Sequence, residues 1–161
     1  MAITYLGIGS NIGDKESNLK EAVFRLETTG NAAILDRSLF YETHPAGGPR
    51  QENYLNGVLK VKTGIPPGEF LDLLKVIEED MGRKPSAERN HPRIIDIDIL
   101  LYDDLILNTG KLTVPHPRMH ERVFVLKGLA AIAPGAVHPV LEKTVEELYG
   151  ELKALGSDHN I

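Results

Sequence analysis

Two aspartates inside an apolar, β-branched run constrain the fold of this chain more than any other feature. In the run Pro92-Arg93-Ile94-Ile95-Asp96-Ile97-Asp98-Ile99-Leu100-Leu101, one residue separates Asp96 from Asp98. Side chains alternate between the two faces of a strand, so both carboxylates project from one face and the neighbouring isoleucines from the other. The run therefore predicts a strand with an apolar face and an acidic face.

The paired carboxylates have two interpretations. Aspartate is depleted in strands and like charges repel at short range, so a fold that holds both usually supplies a cation. Magnesium prefers oxygen ligands and is commonly held by one or two carboxylates together with substrate phosphates. The alternative is a solvated acidic face, because antiparallel sheets often have one wet side.

The segment before this strand is basic. Between Gly82 and Arg93 the single acid is Glu88, whereas the cations are Arg83, Lys84, Arg89 and Arg93. Guanidinium groups match phosphate oxygens, and binding residues often lie on loops that a rigid scaffold positions. The combination indicates a polyphosphate bound with Mg²⁺. The alternative is a solvated loop whose arginines neutralise Asp96 and Asp98 through structural ion pairs.

Composition restricts the class of protein. The chain has 161 residues, 42% hydrophobic and 25% charged, which predicts a single globular domain over residues 1–161. A net charge of −5, with the cations concentrated in one loop, argues against nucleic-acid binding and favours a small anionic ligand. The absence of cysteine excludes thiol chemistry and fits a cytoplasmic protein. With no signal-peptide pattern or span at the first residues, we expect no membrane association, and we favour a monomer.

The order of predicted elements indicates an α+β fold. A strand over 3–8 precedes a helix whose apolar face holds Leu19, Ala22, Val23 and Leu26. Two strands follow near 32–43 and 54–63, and then a helix opening at Pro66-Pro67 with a stripe of Phe70, Leu73, Leu74, Ile77 and Met81. With the Asp96 strand, the order is β-α-β-β-α-β, the ferredoxin-like antiparallel sheet with two helices on one face. Beyond residue 104 we expect a C-terminal helical extension, with a short strand over 105–107 and helices near 119–131 and 143–154.

Three further segments contain candidate binding residues. Alternation puts Tyr54 and Asn56 on one strand face, where they could grip a flat heterocycle or simply be solvated. Residues 112–124 gather His116, Arg118, His120 and Arg122 without the HExxH pattern of a zinc helix, which favours a phosphate-facing cluster or a plain helix start. The glycine-rich residues 7–13 lack the lysine of a P-loop and predict a tight strand-to-helix turn.

Taken in order, these fragments resemble the 6-hydroxymethyl-7,8-dihydropterin pyrophosphokinase family over nearly the whole chain. The fragments that carry the resemblance are Gly9-Ser10-Asn11-Ile12-Gly13-Asp14, Tyr41-Glu42-Thr43, Tyr54-Leu55-Asn56, Gly82-Arg83, Pro92 to Ile99, and Val114-Pro115-His116. The resemblance implies a ferredoxin-like core that binds ATP with two Mg²⁺ ions. It also implies transfer of the β,γ-pyrophosphoryl group of ATP to the pterin hydroxymethyl oxygen, with release of AMP, in folate biosynthesis.

The resemblance also implies roles for individual residues. Asp96 and Asp98 would hold both metal ions, and Arg83 and Arg93 would meet phosphate charge during transfer. The positions matching the ATP site are Arg93, Lys111, Thr113, His116 and Arg122. The positions matching the pterin site are Thr43, Tyr54, Asn56 and Phe124. The loops 45–50 and 83–92 would close over the ligands and exclude water.

Two departures from the family pattern concern aromatic residues. Asn90-His91 stands where many members carry Trp-Gly, and Pro117 replaces a frequent tyrosine. An aromatic lid is therefore absent or supplied by another residue such as Phe124. Two rival functions use the same acids or the same fold: another Mg²⁺-dependent nucleotide-using transferase or phosphohydrolase, which should not need Tyr54 and Asn56, and a non-catalytic ferredoxin-like ligand-binding module.

Overall fold

The structure is a computed structural model that describes residues 1–44, 52–82 and 93–156. It contains both strands and helices. The first part of the chain forms β1 (Ala2–Ser10), α1 (Lys15–Thr28), β2 (Ala32–Arg37), β3 (Tyr41–Thr43), β4 (Tyr54–Thr63), α2 (Pro67–Asp80) and β5 (Asp96–Tyr102). The remainder forms β6 (Leu107–Asn108), β7 (Thr113–Val114), a 3-10 turn (Met119–Glu121), α3 (Val123–Ile132), β8 (Val137–His138), β9 (Lys143–Thr144) and α4 (Val145–Ala154).

The main sheet has the strand order β2-β4-β1-β5, with β3 also paired to β4. Every pairing within it is antiparallel. The predicted strand near 32–43 is interrupted, because Ser38 leaves the ladder and bonds Val58 through both its backbone and its Oγ. The predicted α+β, ferredoxin-like order is confirmed, and β1 lies between two partners at the centre of the sheet.

Helices α1 and α2 cover one face of the sheet with most of the side chains that periodicity predicted, although Leu73 and Met81 are only partly buried. In α1 the Asp14 carboxylate caps the first turn by accepting from the Ser17 N–H at 3.1 Å. The buried faces consist of Leu19, Ala22, Val23 and Leu26 in α1, and Phe70, Leu74 and Ile77 in α2. They pack on Leu6 and Ile8 of β1 and on Ile97 and Ile99 of β5. Among the described residues, no helix has the length and apolar character to cross a membrane.

The C-terminal helices form a second layer on the opposite face of the sheet. Helices α3 and α4 pack on Val58, Leu100 and Leu101, and they bury Met119, Leu126 and Leu129 in a separate core. Helix α3 lies close to β4 at Gly128, where an added Cβ would lie 2.7 Å from Cγ2 of Val58. The expected C-terminal extension is thus a structural layer. It covers only part of this face, and the uncovered part carries the acidic residues.

Two C-terminal boundaries differ from the prediction. The expected helix over 119–131 is split, because Arg122 adopts an extended conformation between the 3-10 turn and α3. The expected strand over 105–107 reduces to Leu107–Asn108 in β6. Leu105 instead closes a turn by donating its N–H to the carbonyl of Tyr102 at 3.1 Å.

Candidate active site

The candidate site is a cleft at the end of the sheet, and one row of paired residues crosses its floor. Gly9 at the end of β1 pairs with Asn56 of β4 on one side and with Asp96 of β5 on the other. Two residues earlier in β1, Gly7 pairs with Val58 and with Asp98. Antiparallel pairing puts directly opposite residues on the same face. The amide and both carboxylates therefore share the face that alternation predicted for each.

Two glycines leave the floor of this cleft open. A Cβ on Gly9 would lie 2.8 Å from Oδ1 of Asn56 and 3.4 Å from Cδ1 of Tyr54. The predicted strand over 3–8 ends too early, because Gly9 and Ser10 continue β1 instead of starting the turn. Two glycines at i and i+2 in a strand are the signal that could have indicated a close approach. Gly9 is required for Asn56 and Tyr54 to reach their positions.

Asp96 and Asp98 form the acidic side of the cleft. The Arg93 guanidinium lies 3.6 Å from Asp96 Oδ1, with 16% of the arginine side chain and 31% of the aspartate side chain exposed. Within the described ranges, no cluster of three or more His, Cys, Asp or Glu residues could bind a metal. Two adjacent carboxylates nonetheless fit Mg²⁺, which retains waters and accepts substrate phosphate oxygens as further ligands.

His116 lies above these acids as a neutral imidazole. Burial, followed by the charge of Arg122, lowers the pKa of His116 to about 4, although Asp96 opposes the shift. Its Nδ1 accepts the Arg118 backbone N–H at 3.1 Å, so the neutral ring carries its proton on Nε2. Its own backbone N–H donates to the Leu100 carbonyl at 2.9 Å, which fixes the residue against β5. His116 is thus a fixed hydrogen-bond donor at neutral pH.

Asn56 forms the opposite side of the cleft and is oriented from behind. Its Nδ2 donates to Thr43 Oγ1 at 2.7 Å and points toward the Tyr41 carbonyl at 3.5 Å. Because a carbonyl can only accept, this orientation directs Oδ1 toward Gly9. Tyr54 and Phe124 supply aromatic surface beside this oxygen. The cleft therefore combines an amide acceptor with two aromatic side chains.

The whole-chain comparisons identify the family. Residues 5–134 match the sequence profile of the family described as 7,8-dihydro-6-hydroxymethylpterin-pyrophosphokinase (HPPK). This chain belongs to the HPPK family. The resemblance inferred from the sequence motifs is confirmed.

Relatives of two architectures resemble this HPPK chain. The Aquifex aeolicus protein named 2-amino-4-hydroxy-6-hydroxymethyldihydropteridine pyrophosphokinase is 42% identical over 151 residues, covering 94% of this chain and 92% of that protein. The folic acid synthesis protein FOL1 of Dictyostelium discoideum is 43% identical over 159 residues, covering 99% of this chain but 24% of that protein. The chain thus spans about a quarter of the length of that longer relative.

Solved structures support the HPPK fold. The chain superimposes on a structure described as HPPK-DHPS in complex with substrates with a TM-score of 0.76 at 16% identity, covering 99% of this chain and 46% of that one. The wild-type Plasmodium falciparum HPPK-DHPS with pteroate gives a TM-score of 0.74 at 20% identity, covering 93% and 42%. At these identities the likeness concerns the fold alone.

Seven of the predicted HPPK site residues line one cleft, and four other described ones lie outside its lining. The cleft brings together Tyr54, Asn56, Asp96, Asp98, His116, Arg122 and Phe124. Thr43 lies behind it, and Arg93 contacts Asp96. Lys111 instead pairs with Asp72 of α2 at 2.8 Å, and Thr113 donates to Asn108 at 3.2 Å, both outside this cleft. Arg83 and the expected loop closure over 45–50 and 83–92 lie outside the described residues and stay predictions.

Sequence reasoning missed the apolar wall of the cleft. Leu100, Met119 and Val125 line it between the acids and Phe124. Leu100 continues the face of Asp96 and Asp98, so strand alternation could have indicated it. Met119 and Val125 come from the second helical layer, which no local pattern places against the sheet.

Proposed function

We propose that this chain transfers the β,γ-pyrophosphoryl group of ATP to the hydroxymethyl oxygen of 6-hydroxymethyl-7,8-dihydropterin and releases AMP, in folate biosynthesis. The observation that carries the proposal is the row Asn56-Gly9-Asp96, which puts an amide that could bind a heterocycle and an acid that could bind a metal on one open surface. Membership of the HPPK family supports the same reaction.

The pterin is proposed to bind between Tyr54 and Phe124. Aromatic faces suit stacking on a flat bicyclic ring, and Asn56 Oδ1 can accept an N–H from its edge. Thr43 acts indirectly, because its Oγ1 holds the Asn56 amide in the required orientation. These contacts would hold the hydroxymethyl group toward the acids.

The triphosphate is proposed to bind on the acidic side, where two Mg²⁺ ions would be held by Asp96 and Asp98. Bound Mg²⁺ would neutralise phosphate oxygens and draw charge from the phosphorus that is attacked. His116 donates through Nε2, while the guanidinium groups of Arg93 and Arg122 meet the remaining phosphate charge. Lys111 and Thr113 remain proposed nucleotide contacts, and release of the exposed Lys111–Asp72 pair would cost at most about 1 kcal/mol.

The reaction itself requires little covalent assistance from the protein. The hydroxymethyl oxygen forms a bond to the β-phosphorus, the bond from that phosphorus to the oxygen bridging to the α-phosphate breaks, and AMP leaves with the electron pair. The hydroxyl proton passes to solvent or to a phosphate oxygen. Alignment of the oxygen and charge stabilisation account for the acceleration. We propose that the active protein is a cytoplasmic monomer.

Product analysis tests this function. The protein would be incubated with ATP, Mg²⁺ and the pterin, and nucleotides separated by chromatography. We expect AMP that depends on the pterin and falls at least about 100-fold in Asp96→Asn. Asp36→Asn, an exposed carboxylate on β2, should retain full turnover. ADP as the product, or AMP without pterin, would instead support one of the rival enzymes.

Gly9→Ala tests the pterin side separately. The added methyl would lie 2.8 Å from Asn56 Oδ1, so we expect the pterin KM to rise at least about 10-fold. Gly150→Ala, which adds a methyl where no atom lies within 4 Å, is the control. An unchanged pterin KM in Gly9→Ala would refute the assignment of Asn56 to the pterin.

A further inference from the structure

Asn11, the residue after β1, is a buried polar side chain without a role in the function proposed above. It is 1% exposed. Its backbone N–H donates to the Arg93 carbonyl at 3.1 Å, and its Oδ1 accepts the Arg93 N–H at 2.8 Å. A single asparagine thus satisfies both backbone groups of Arg93. The side chain extends the pairing of β1 toward Arg93, three residues before β5 begins.

The same side chain also contacts the segment that leads into β4. Its Nδ2 donates to the Glu52 carbonyl at 3.2 Å, two residues before Tyr54. Lys15 supports that segment, because its Nζ donates to the Asn53 carbonyl at 3.0 Å. The two ends of one amide therefore bond to backbone on opposite sides of the cleft.

We propose that Asn11 is a positioning residue that fixes the phosphate side of the cleft relative to the pterin side. Through Oδ1 it sets the backbone from which the Arg93 guanidinium reaches Asp96 at 3.6 Å. Through Nδ2 it sets the approach of Tyr54. Buried amides that lose one partner leave the other unsatisfied, so the two sides are linked energetically. This inference rests on the proposed pyrophosphoryl transfer.

Asn18, in the first turn of α1, provides a matched control. Its Nδ2 donates to Ser10 Oγ at 3.1 Å and to the Ile12 carbonyl at 2.9 Å. These bonds join the start of α1 to Ser10 and Ile12 and involve neither Arg93 nor Glu52. Asn18→Ala therefore removes an amide of the same size without changing the proposed link.

A double-mutant cycle with Arg93 separates positioning from structural support. We expect Asn11→Ala to lower kcat about 10- to 100-fold and to raise the pterin KM, with Asn18→Ala within about 3-fold of the wild type. In an Arg93→Ala background, the effect of Asn11→Ala on kcat should fall below about 3-fold. The effects of the two substitutions on the free energy of unfolding should nevertheless be additive. Asn11 bonds to the backbone of Arg93, which Arg93→Ala retains. Equal kcat losses in both backgrounds, or equal losses for Asn11→Ala and Asn18→Ala, would overturn the proposal.

Two further measurements keep the test decisive. If Asn11→Ala does not fold, Asn11→Asp keeps the acceptor for Arg93 and removes the donor to Glu52. It should raise the pterin KM several-fold with kcat within about 3-fold, and a fall in kcat at constant pterin KM would overturn the proposal. The Arg93 Nε–H resonance reports positioning without turnover, and it should shift in Asn11→Ala but not in Asn18→Ala. A wild-type protein that makes no pterin-dependent AMP would refute the proposed function, whereas an unmoved Arg93 resonance would refute the positioning role.

Discussion

The imidazole of His116 lies close to both the acids and the cations of the cleft, and its protonation state follows from which influence is larger. Burial and the Arg122 charge disfavour the imidazolium more than Asp96 favours it, which lowers the pKa to about 4. The Arg118 N–H occupies Nδ1 and selects the Nε2–H tautomer. A neutral donor suits a phosphate oxygen and avoids a second buried cation beside Arg122. The sequence indicated a phosphate-facing histidine, but its charge depends on its burial and on the positions that Arg122 and Asp96 take in the folded protein.

His116 should make folding stability depend on pH. Below pH 6.5 the unfolded chain binds a proton at His116 that the folded protein binds only near pH 4, so acidification favours unfolding. Between pH 6.5 and 4 we expect the wild type to lose about 1–2 kcal/mol relative to His116→Asn, a value reduced for the partial exposure of the ring.

Urea unfolding at several pH values, without Mg²⁺ or nucleotide, measures this difference. A two-dimensional NMR titration of the His116 ring provides the pKa directly. A midpoint near 6.5, or a stability difference that is constant from pH 7 to pH 4, would contradict the prediction.

Helix α3 connects the second layer of the fold to the cleft. It begins directly after Arg122, carries Phe124 in its first turn, and contacts β4 through Gly128. A Cβ at Gly128 would lie 2.7 Å from Val58 Cγ2 and 3.3 Å from Ser38 Oγ. Any displacement of this helix from the sheet therefore moves residues on both proposed ligand sides.

Gly128→Ala should displace α3. We expect a loss of about 1–3 kcal/mol in the free energy of unfolding, together with higher KM values for ATP and the pterin. Gly150→Ala in α4 is the matched control, because its methyl enters open space and should stabilise the helix by up to about 1 kcal/mol. Chemical unfolding and steady-state kinetics measure both effects. A Gly128→Ala protein as stable as the wild type would contradict the prediction, because it would show that the Val58 side chain can move aside without loss of stability.

Elements determined by local periodicity were predictable from the sequence, and those determined by distant packing were not. The apolar faces of α1 and α2 and the shared face of Asp96 and Asp98 follow from the helical and strand repeats. The second layer required knowledge of which surface α3 would cover. The role of Gly9 depends on the register of β4 and β5 on either side of it, and Lys111 is bound by Asp72, 39 residues away.

At the scale of the whole molecule, one sheet separates two hydrophobic cores. The first lies under α1 and α2, and the second lies under α3 and α4. Strands β1, β4 and β5 contribute side chains to both faces, so neither core can be lost without affecting the other. We therefore expect the described part of the fold to unfold as one cooperative unit.

Leu26→Ala and Leu126→Ala test this coupling, because each residue is buried in a different core. Each should cost about 2–5 kcal/mol and lower a single unfolding midpoint. Leu39→Ala, which is 77% exposed, should change stability by less than about 0.5 kcal/mol. Far-ultraviolet circular dichroism and tyrosine fluorescence should report coincident transitions. Two separate transitions in either core variant would show that the layers are independent.

The row Asn56-Gly9-Asp96 also fixes a distance across the cleft. Its length is two hydrogen-bonded strand spacings, about 9.6 Å between the outer backbones, and a central sheet cannot stretch or shorten by a useful amount. If the pterin is anchored at Asn56 and the triphosphate at Asp96, as proposed above, the distance from the anchored edge of an acceptor to its reacting hydroxyl must match that span. Acceptors are then selected by the distance between ring and hydroxyl as well as by the ring itself. An alcohol whose hydroxyl lies farther from its ring would be misplaced relative to the phosphorus even if the ring bound well.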